Sequence, residues 1–345
     1  MTGIHLTAID LFAGVGGLST GLIQSGFIVC AAVEIDPISA SSFLQNHVHT
    51  RVLIRDIRKI SGVELLKRAG LARGELDLLT GCPPCQGYST LRTRRQRRVV
   101  TDPRNDLIFD ILRLVRSTRP RAVLLENVPG LAQDRRFSDF RHGLAAAGYE
   151  SEYKVVDASD YGVPQRRRRL VLMAIRDGTV PTEWWSPSST TQRTVRDAIA
   201  MLPAAGHSGD VLHDVTESRS ATVMERIRAT PHNGGSRSSV RADYSLACHE
   251  RTDGFSDVYG RMKWDAPAPT ITGGCSNPSK GRFLHPVEDR AITLREAALL
   301  QSFPADYQFD LRRGKEHAAW QIGNAFPPQM IVPIARALYA ALVAT

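Results

Sequence analysis

What this sequence lacks already excludes several classes of protein. Its 345 residues contain no run of 18 apolar residues, so no membrane-spanning helix is expected. The N-terminus, Met1-Thr2-Gly3-Ile4-His5, has no basic segment leading into an apolar core, so no secretory signal is expected. Cysteine is scarce: five in the whole chain, an odd number, which argues for free thiols in a reducing compartment rather than a disulfide framework. No internal repeat is present, which removes solenoids and propellers. Acidic residues are too few to balance the basic ones. The net charge of +9 favours a polyanionic partner over an acidic one.

The basic excess is mostly arginine, and it is clustered. Arg92, Arg94, Arg95, Arg97 and Arg98 form one group, and Arg166 to Arg169 form an unbroken run. Guanidinium groups suit bidentate contacts to phosphates and base edges. The bland alternative for either group is a solvated charged surface.

The first half of the chain alternates strand and helix signals. Apolar runs at 6–12, 28–35, 52–57, 76–80, 122–125 and 170–175 predict strands, with helical periodicity between them. The clearest helix pattern covers 106–116 and stops before Pro120. This order predicts an α/β fold with a doubly wound, mostly parallel sheet. The texture changes near Pro181. Residues 184–191 are rich in Pro, Ser and Thr and read as a linker, and 203–280 reads as a loop-rich second domain with short strands. Helical pattern returns at 293–301, where Thr293 and Glu296 match a capping box, and at 329–343.

Two strand ends carry candidate chemistry. The first strand runs into Asp10-Leu11-Phe12-Ala13-Gly14-Val15-Gly16-Gly17-Leu18-Ser19, a glycine turn that lets a ligand approach the backbone. Glu34 and Asp36 close the second strand, where a carboxylate can accept from ribose hydroxyls. The third glycine of a dinucleotide fingerprint is missing, since Ser19 stands there; the turn alone does not separate NAD from S-adenosylmethionine (AdoMet). The fourth strand runs into Gly81-Cys82-Pro83-Pro84-Cys85-Gln86. Two prolines stiffen the backbone ahead of Cys85, as suits a positioned nucleophile. A C-x-x-C dithiol or half a zinc site is the competing reading. A zinc site needs a second ligand pair, and Cys30, Cys248 and Cys275 are isolated.

Six blocks in this order resemble the cytosine-C5 DNA methyltransferase family. They are Asp10-Leu11-Phe12-Ala13-Gly14-x-Gly16-Gly17, Pro83-Pro84-Cys85-Gln86, Glu126-Asn127-Val128, Gln165-x-Arg167-x-Arg169, the stretch 295–304, and Gln321-Ile322-Gly323-Asn324-Ala325-Phe326-Pro327-Pro328. The resemblance spans nearly the whole chain. It implies a Rossmann-like, AdoMet-dependent catalytic domain over 1–190, a smaller target-recognition domain over 191–317, and a C-terminal segment, 318–345, returning to the first. It implies methyl transfer from AdoMet to C5 of a cytosine flipped out of a short specific duplex DNA sequence, through a covalent bond between Cys85 and C6.

The resemblance also distributes roles. Cys85 is the nucleophile and Cys82 a small neighbour. Glu126 meets N3 of the cytosine, where it can hold or share a proton, and Arg169 with Arg167 orients Glu126 and holds O2. Phe12, Gly14, Gly16 and Gly17 cradle AdoMet. Glu34 receives the ribose, Asp56 the adenine amino group, Pro84 walls the pocket, and Asn324 lies near the first block. Competing readings remain for several: a helix cap for Glu126, a cap or turn residue for Asp56, core packing for Phe12. The segment 89–103 would close over the base. Tyr259-Gly260-Arg261 and 270–274 are candidate DNA contacts. The implied enzyme is a cytoplasmic, prokaryotic monomer on duplex DNA, paired with a restriction endonuclease. A tRNA cytosine methyltransferase and a catalytically inactive DNA-binding homologue are the alternatives.

Overall fold

The computed structural model describes residues 5–84, 102–187, 191–215, 217–236 and 257–344. The chain divides into two compact units. The first comprises Met1–Tyr161, Arg168–Ser188 and Phe326–Thr345; the second comprises Gly162–Arg167 and Ser189–Ala325.

A seven-stranded sheet forms the first unit, with β1 (Thr7–Leu11), β2 (Ile28–Glu34), β3 (Arg51–Ile54), β4 (Leu78–Gly81), β5 (Ala122–Asn127), β6 (Tyr149–Asp157) and β7 (Arg168–Arg176) in the order β3-β2-β1-β4-β5-β7-β6. The first five strands of that order run parallel, and β7 is antiparallel to both β5 and β6. The helices α1 (Gly17–Gln24), α2 (Pro37–Asn46), α3 (Gly62–Ala69), α4 (Leu107–Thr118) and α5 (Arg135–Ala145) separate the strands. Every residue of β5 is buried, as expected of an inner strand covered on both faces. On α4 the buried residues Ile108, Ile111, Leu112, Leu114 and Val115 make one stripe. That helix ends with Arg119 in the left-handed conformation, directly before Pro120. Helix Pro328–Ala344 belongs to this unit and packs on α1, where Ser25 Oγ donates to the Val332 carbonyl at 3.2 Å. The stretch 314–344 is long and apolar enough to cross a membrane, yet 56% of its apolar window is buried inside the protein.

Strand order reverses between β1 and β4. Such a switch point opens a crevice beyond the carboxyl ends of the strands, where ligands of doubly wound sheets bind.

Two features of this unit differ from the sequence expectation. Strand β6, Tyr-Glu-Ser-Glu-Tyr-Lys-Val-Val-Asp, carries no apolar run because it is a largely exposed edge strand, paired with β7 on one side. The stretch expected to be a linker begins with packed structure: Trp184 is 1% exposed and its Nε1 donates to Glu152, and the Tyr161 hydroxyl donates to the Trp185 carbonyl.

The second unit holds helices Val195–Ile199, Val211–Asp214, Ala221–Ala229, Leu294–Leu300 and Gly314–Asn324. Thr293 and Glu296 form the expected reciprocal capping box at the start of Leu294–Leu300. The expected short strands are absent among the described residues. Isolated bridges stand in their place, Arg261 with Leu284 and Leu284 with Ala291.

Arg261 is not a DNA contact. Its side chain is fully buried and donates to the carbonyls of Thr230, Ile227, His285 and Glu288 and to Asp289. Tyr259 is 6% exposed and lies in a core cluster with Ile227, Val258 and Leu284. Loops without a ladder leave backbone carbonyls that need donors, and one guanidinium supplies several. Arg261→Met should therefore cost about 3–5 kcal/mol in urea unfolding, because buried carbonyls and the Asp289 carboxylate lose their partner. A loss below about 1 kcal/mol, with impaired DNA binding, would return this residue to the DNA interface.

Candidate active site

The glycine turn sits at the end of β1, on the switch point. Phe12 has φ 58° and Gly14 φ 55°, both in the left-handed region. For a phenylalanine that conformation is strained, which singles the turn out as functional. Phe12 also packs against the core, as the competing reading of it expects. A Cβ built at Gly14 meets nothing within 4 Å, so this glycine borders open space. Gly16, at φ 95°, caps α1.

Glu34 fastens the turn to β2. One carboxylate oxygen accepts from the Gly14 N–H at 2.7 Å; the other accepts from Ile35 and Asp36 at 2.9 and 2.8 Å. Burial pushes this carboxyl above its usual range, against the pull of those three N–H groups. The oxygen that accepts from Gly14 alone still has lone-pair capacity for a hydroxyl group. Beside it, Ile35 is 62% exposed, a large aliphatic surface at the strand end that no motif had marked. Open glycine backbone, a half-buried carboxylate and an apolar side chain together fit a nucleoside with free ribose hydroxyls.

Asp56, expected at the adenine amino group, has a local structural role. It caps the short turn Ile57–Lys59 by accepting from Arg58 N–H, and its two oxygens also accept from the Arg58 guanidinium at 2.5–3.0 Å. The capping reading of this residue is the one observed.

A second cluster lies at the ends of β4 and β5. Gly81 pairs with Leu125, which sets the next residues, Cys82 and Glu126, side by side. Arg169 Nε is 2.7 Å from Glu126 Oε1, and both side chains are largely buried. Cys82 hydrogen-bonds Glu126, and its thiol is pushed well above the ordinary value, by burial first and then by the Glu126 charge. Cys82 is thus poorly suited to be a thiolate nucleophile. Asn127 Nδ2 donates to the Pro83 carbonyl at 3.0 Å and fixes the start of the Pro83-Pro84 turn. Pro84 is half-buried, and the described chain stops there. Cys85 and the arginines at 92–98 lie outside the described residues. Below the cluster, burial pushes the Asp10 carboxyl up to about 7; Ser19 Oγ donates to it at 2.6 Å.

Arg167 does not join Arg169. It is 3% exposed and donates to the carbonyls of Ile271 at 2.8 Å and Gly323 at 2.9 Å, all within the second unit. Gln165 donates to Gln301 Oε1 at 2.8 Å and accepts from Ile271 N–H; Gln301 donates to the Ile322 carbonyl. A Cβ at Gly323 would lie 2.0 Å from the backbone of Thr272, so only glycine allows this approach. Three of the sequence blocks therefore meet in one buried hydrogen-bond knot. Arg167 serves that knot and not the orientation of Glu126. Arg169 lies in β7, one residue before the Leu170–Asn127 pair that opens the ladder with β5, whereas Arg167 precedes that strand. Arg166 and Arg168 are exposed. Asn324 is exposed and ends helix Gly314–Asn324 in the second unit.

A family model described as C-5 cytosine-specific DNA methylase matches residues 6–340. The chain belongs to that family. This methylase is 37% identical over 341 residues to the Type II methylase M.HgiDII of Herpetosiphon aurantiacus, covering 96% of this chain and 94% of that one. It is 33% identical to the Type II methyltransferase M1.HphI of Haemophilus parahaemolyticus, over 97% of this chain and 87% of the relative. Among solved structures, a prophage-encoded E. coli protein described as a DNA modification methyltransferase superposes with a TM-score of 0.72 at 27% identity, covering 99% and 100% of the two chains. The S. pombe Dnmt2 methyltransferase shares the fold, with a TM-score of 0.64 at 17% identity over 98% of this chain and 99% of that one. The methylase is an enzyme that methylates DNA cytosine at C5, on a Rossmann-like, mostly parallel sheet.

Proposed function

We propose that the methylase acts on a cytosine flipped out of a short specific duplex sequence, and that Cys85 bonds transiently to C6 of that base. The Glu126–Arg169 pair carries this reading: a buried carboxylate held by a guanidinium beside the Pro83-Pro84 turn that leads into Cys85. Cytosine C5 is too electron-poor to react unaided, and thiolate addition at C6 makes it nucleophilic. Negative charge then builds on the ring. Glu126, oriented by Arg169, holds a proton at N3 to meet it. Loss of the C5 proton and expulsion of the Cys85 sulfur restore the ring. The target atom is inaccessible inside the duplex, so the base must leave the stack.

Phe12, Gly14, Gly16, Gly17, Glu34 and Ile35 would hold S-adenosylmethionine, with Pro84 as a wall of the pocket. When bound, that cofactor supplies an electrophilic methyl group. Glu34→Gln replaces a carboxylate that binds three N–H groups by an amide with one acceptor oxygen. Its affinity for AdoMet should fall about 10–100-fold by calorimetry; an unchanged Kd would move the cofactor to another site. The second unit would read the DNA sequence. The Type II relatives support a role as the modification partner of a restriction endonuclease; a cytoplasmic monomer is the form we infer for that role. Tritium transfer from labelled AdoMet to duplex DNA, with tRNA in parallel, tests the substrate directly: label in tRNA alone would overturn the assignment to DNA.

A further inference from the structure

Behind the turn Gly14–Gly17 sits a side chain that no step of the reaction requires. His47 follows the last residue of α2, is 7% exposed, and packs its ring on Phe43 with centroids 4.5 Å apart. The ring edge faces Gly16. A Cβ built on that glycine would lie 2.5 Å from His47 Nε2 and 2.7 Å from Cδ2. Nε2 is also 3.3 Å from Thr20 Oγ1. Thr20 in turn gives both its N–H and its hydroxyl proton to the Gly16 carbonyl, each at 2.8 Å.

The tautomer follows from proton counting. A hydroxyl has one proton to donate, and that of Thr20 goes to Gly16. Thr20 can therefore only accept from the ring, so the proton of His47 sits on Nε2. Burial lowers the pKa of the ring to about 4, so it is neutral at physiological pH. The result is a closed circuit from the C-terminal end of α2, through the ring and Thr20, to the residue that begins α1.

We propose that His47 is a positioning residue for the cofactor loop: its Nε2–H and ring edge hold Gly16 in the left-handed conformation, so that Gly14–Gly17 is shaped before the cofactor arrives. This rests on the reading that the loop binds AdoMet. A glycine at this position is free to leave φ 95° in the absence of a constraint, and a binding loop that must be ordered on binding loses affinity. The effect should therefore appear in cofactor affinity and not in the chemical step.

The test is a double-mutant cycle in the full-length protein, read by calorimetry with AdoMet. His47→Phe keeps the ring and its packing on Phe43 but removes the donor, and Thr20→Val removes the acceptor at similar volume, together with the hydroxyl bond to the Gly16 carbonyl. Each should raise the Kd for AdoMet about 5–20-fold, and the double variant should be no worse than the poorer single one within about 2-fold, because either change already breaks the His47–Thr20 connection. The KM for AdoMet should rise in parallel, with kcat at saturating AdoMet within about 3-fold and the KM for DNA unchanged. His47→Gln, which retains an N–H donor, should recover most of the affinity. Unchanged AdoMet affinity in both single variants overturns the proposal, as does a fall in kcat at constant Kd, or additive losses that only follow the melting temperature. Glu34→Gln measured alongside separates the two claims. If it weakens AdoMet while the His47 variants do not, the site stands and the positioning role fails; if none of them weakens AdoMet, the site itself is misplaced.

Discussion

Cys85→Ser is expected to lower methyl transfer to duplex DNA by at least about 10⁴-fold, while AdoMet and DNA still bind within about 3-fold of the parent. A serine is nearly isosteric, so the site should be preserved. The difference is chemical. At neutral pH a few per cent of an ordinary thiol is already thiolate and strongly nucleophilic, whereas an alcohol has no comparable anion without a dedicated base. The neighbouring Cys82 cannot substitute. Burial and the Glu126 charge keep it a thiol, and its hydrogen bond ties it to that carboxylate. Cys82→Ala should accordingly leave far more activity than Cys85→Ser. Equal losses from the two, or retained turnover in the Cys85 variant, would remove Cys85 from the chemistry.

Glu126→Gln should reduce kcat about 10²–10⁴-fold, with AdoMet affinity within about 3-fold. Glutamine keeps the length and one acceptor oxygen, so Arg169 retains a partner for its Nε. What is lost is the ability to pass a proton to N3, together with the charge that faces the guanidinium 2.7 Å away. Removing one member of a largely buried pair also strands the other, so Arg169→Ala should lower kcat by a similar order, while Arg167→Ala should show itself first as instability. The contrast is sharp because the two arginines stand two positions apart in one motif. Single-turnover rates at saturating AdoMet measure the first pair of effects, and urea unfolding the third. An unchanged single-turnover rate in Glu126→Gln would mean that another group activates N3.

Much of this arrangement is legible in the sequence, for physical reasons. Inner strands of a parallel sheet are buried on both faces, so β1, β2, β4, β5 and β7 show as apolar runs, and the glycine turn and Glu126-Asn127 fall at the strand ends where doubly wound sheets place chemistry. Strand β6 escapes notice because an edge strand needs no apolar run, and the antiparallel direction of β7 leaves no mark in its composition. The arginines show the deeper limit. Arg167, Arg169 and Arg261 are the same residue type in a basic sequence, yet one ties backbone carbonyls into a knot, one grips the Glu126 carboxylate, and one replaces the missing ladder of a loop-rich core. Which task falls to which depends on carbonyls contributed by distant segments. Asp56 was ambiguous for the opposite reason: its partner, Arg58, is two residues away, and a local cap looks the same as a ligand contact in sequence. His47 carries no motif at all, and only its packing against Gly16 reveals it.

The central claim is a covalent bond between one sulfur and the target base, and a mechanism-based trap measures it directly. In duplex DNA carrying 5-fluorocytosine at the target position, fluorine replaces the proton that must leave C5, so elimination is blocked after addition and methylation. Incubation with AdoMet should give a denaturation-resistant protein–DNA complex, and peptide mapping should place the nucleotide on Cys85. A protein that binds this DNA and AdoMet but forms no adduct, or forms one on a different residue, contradicts the account.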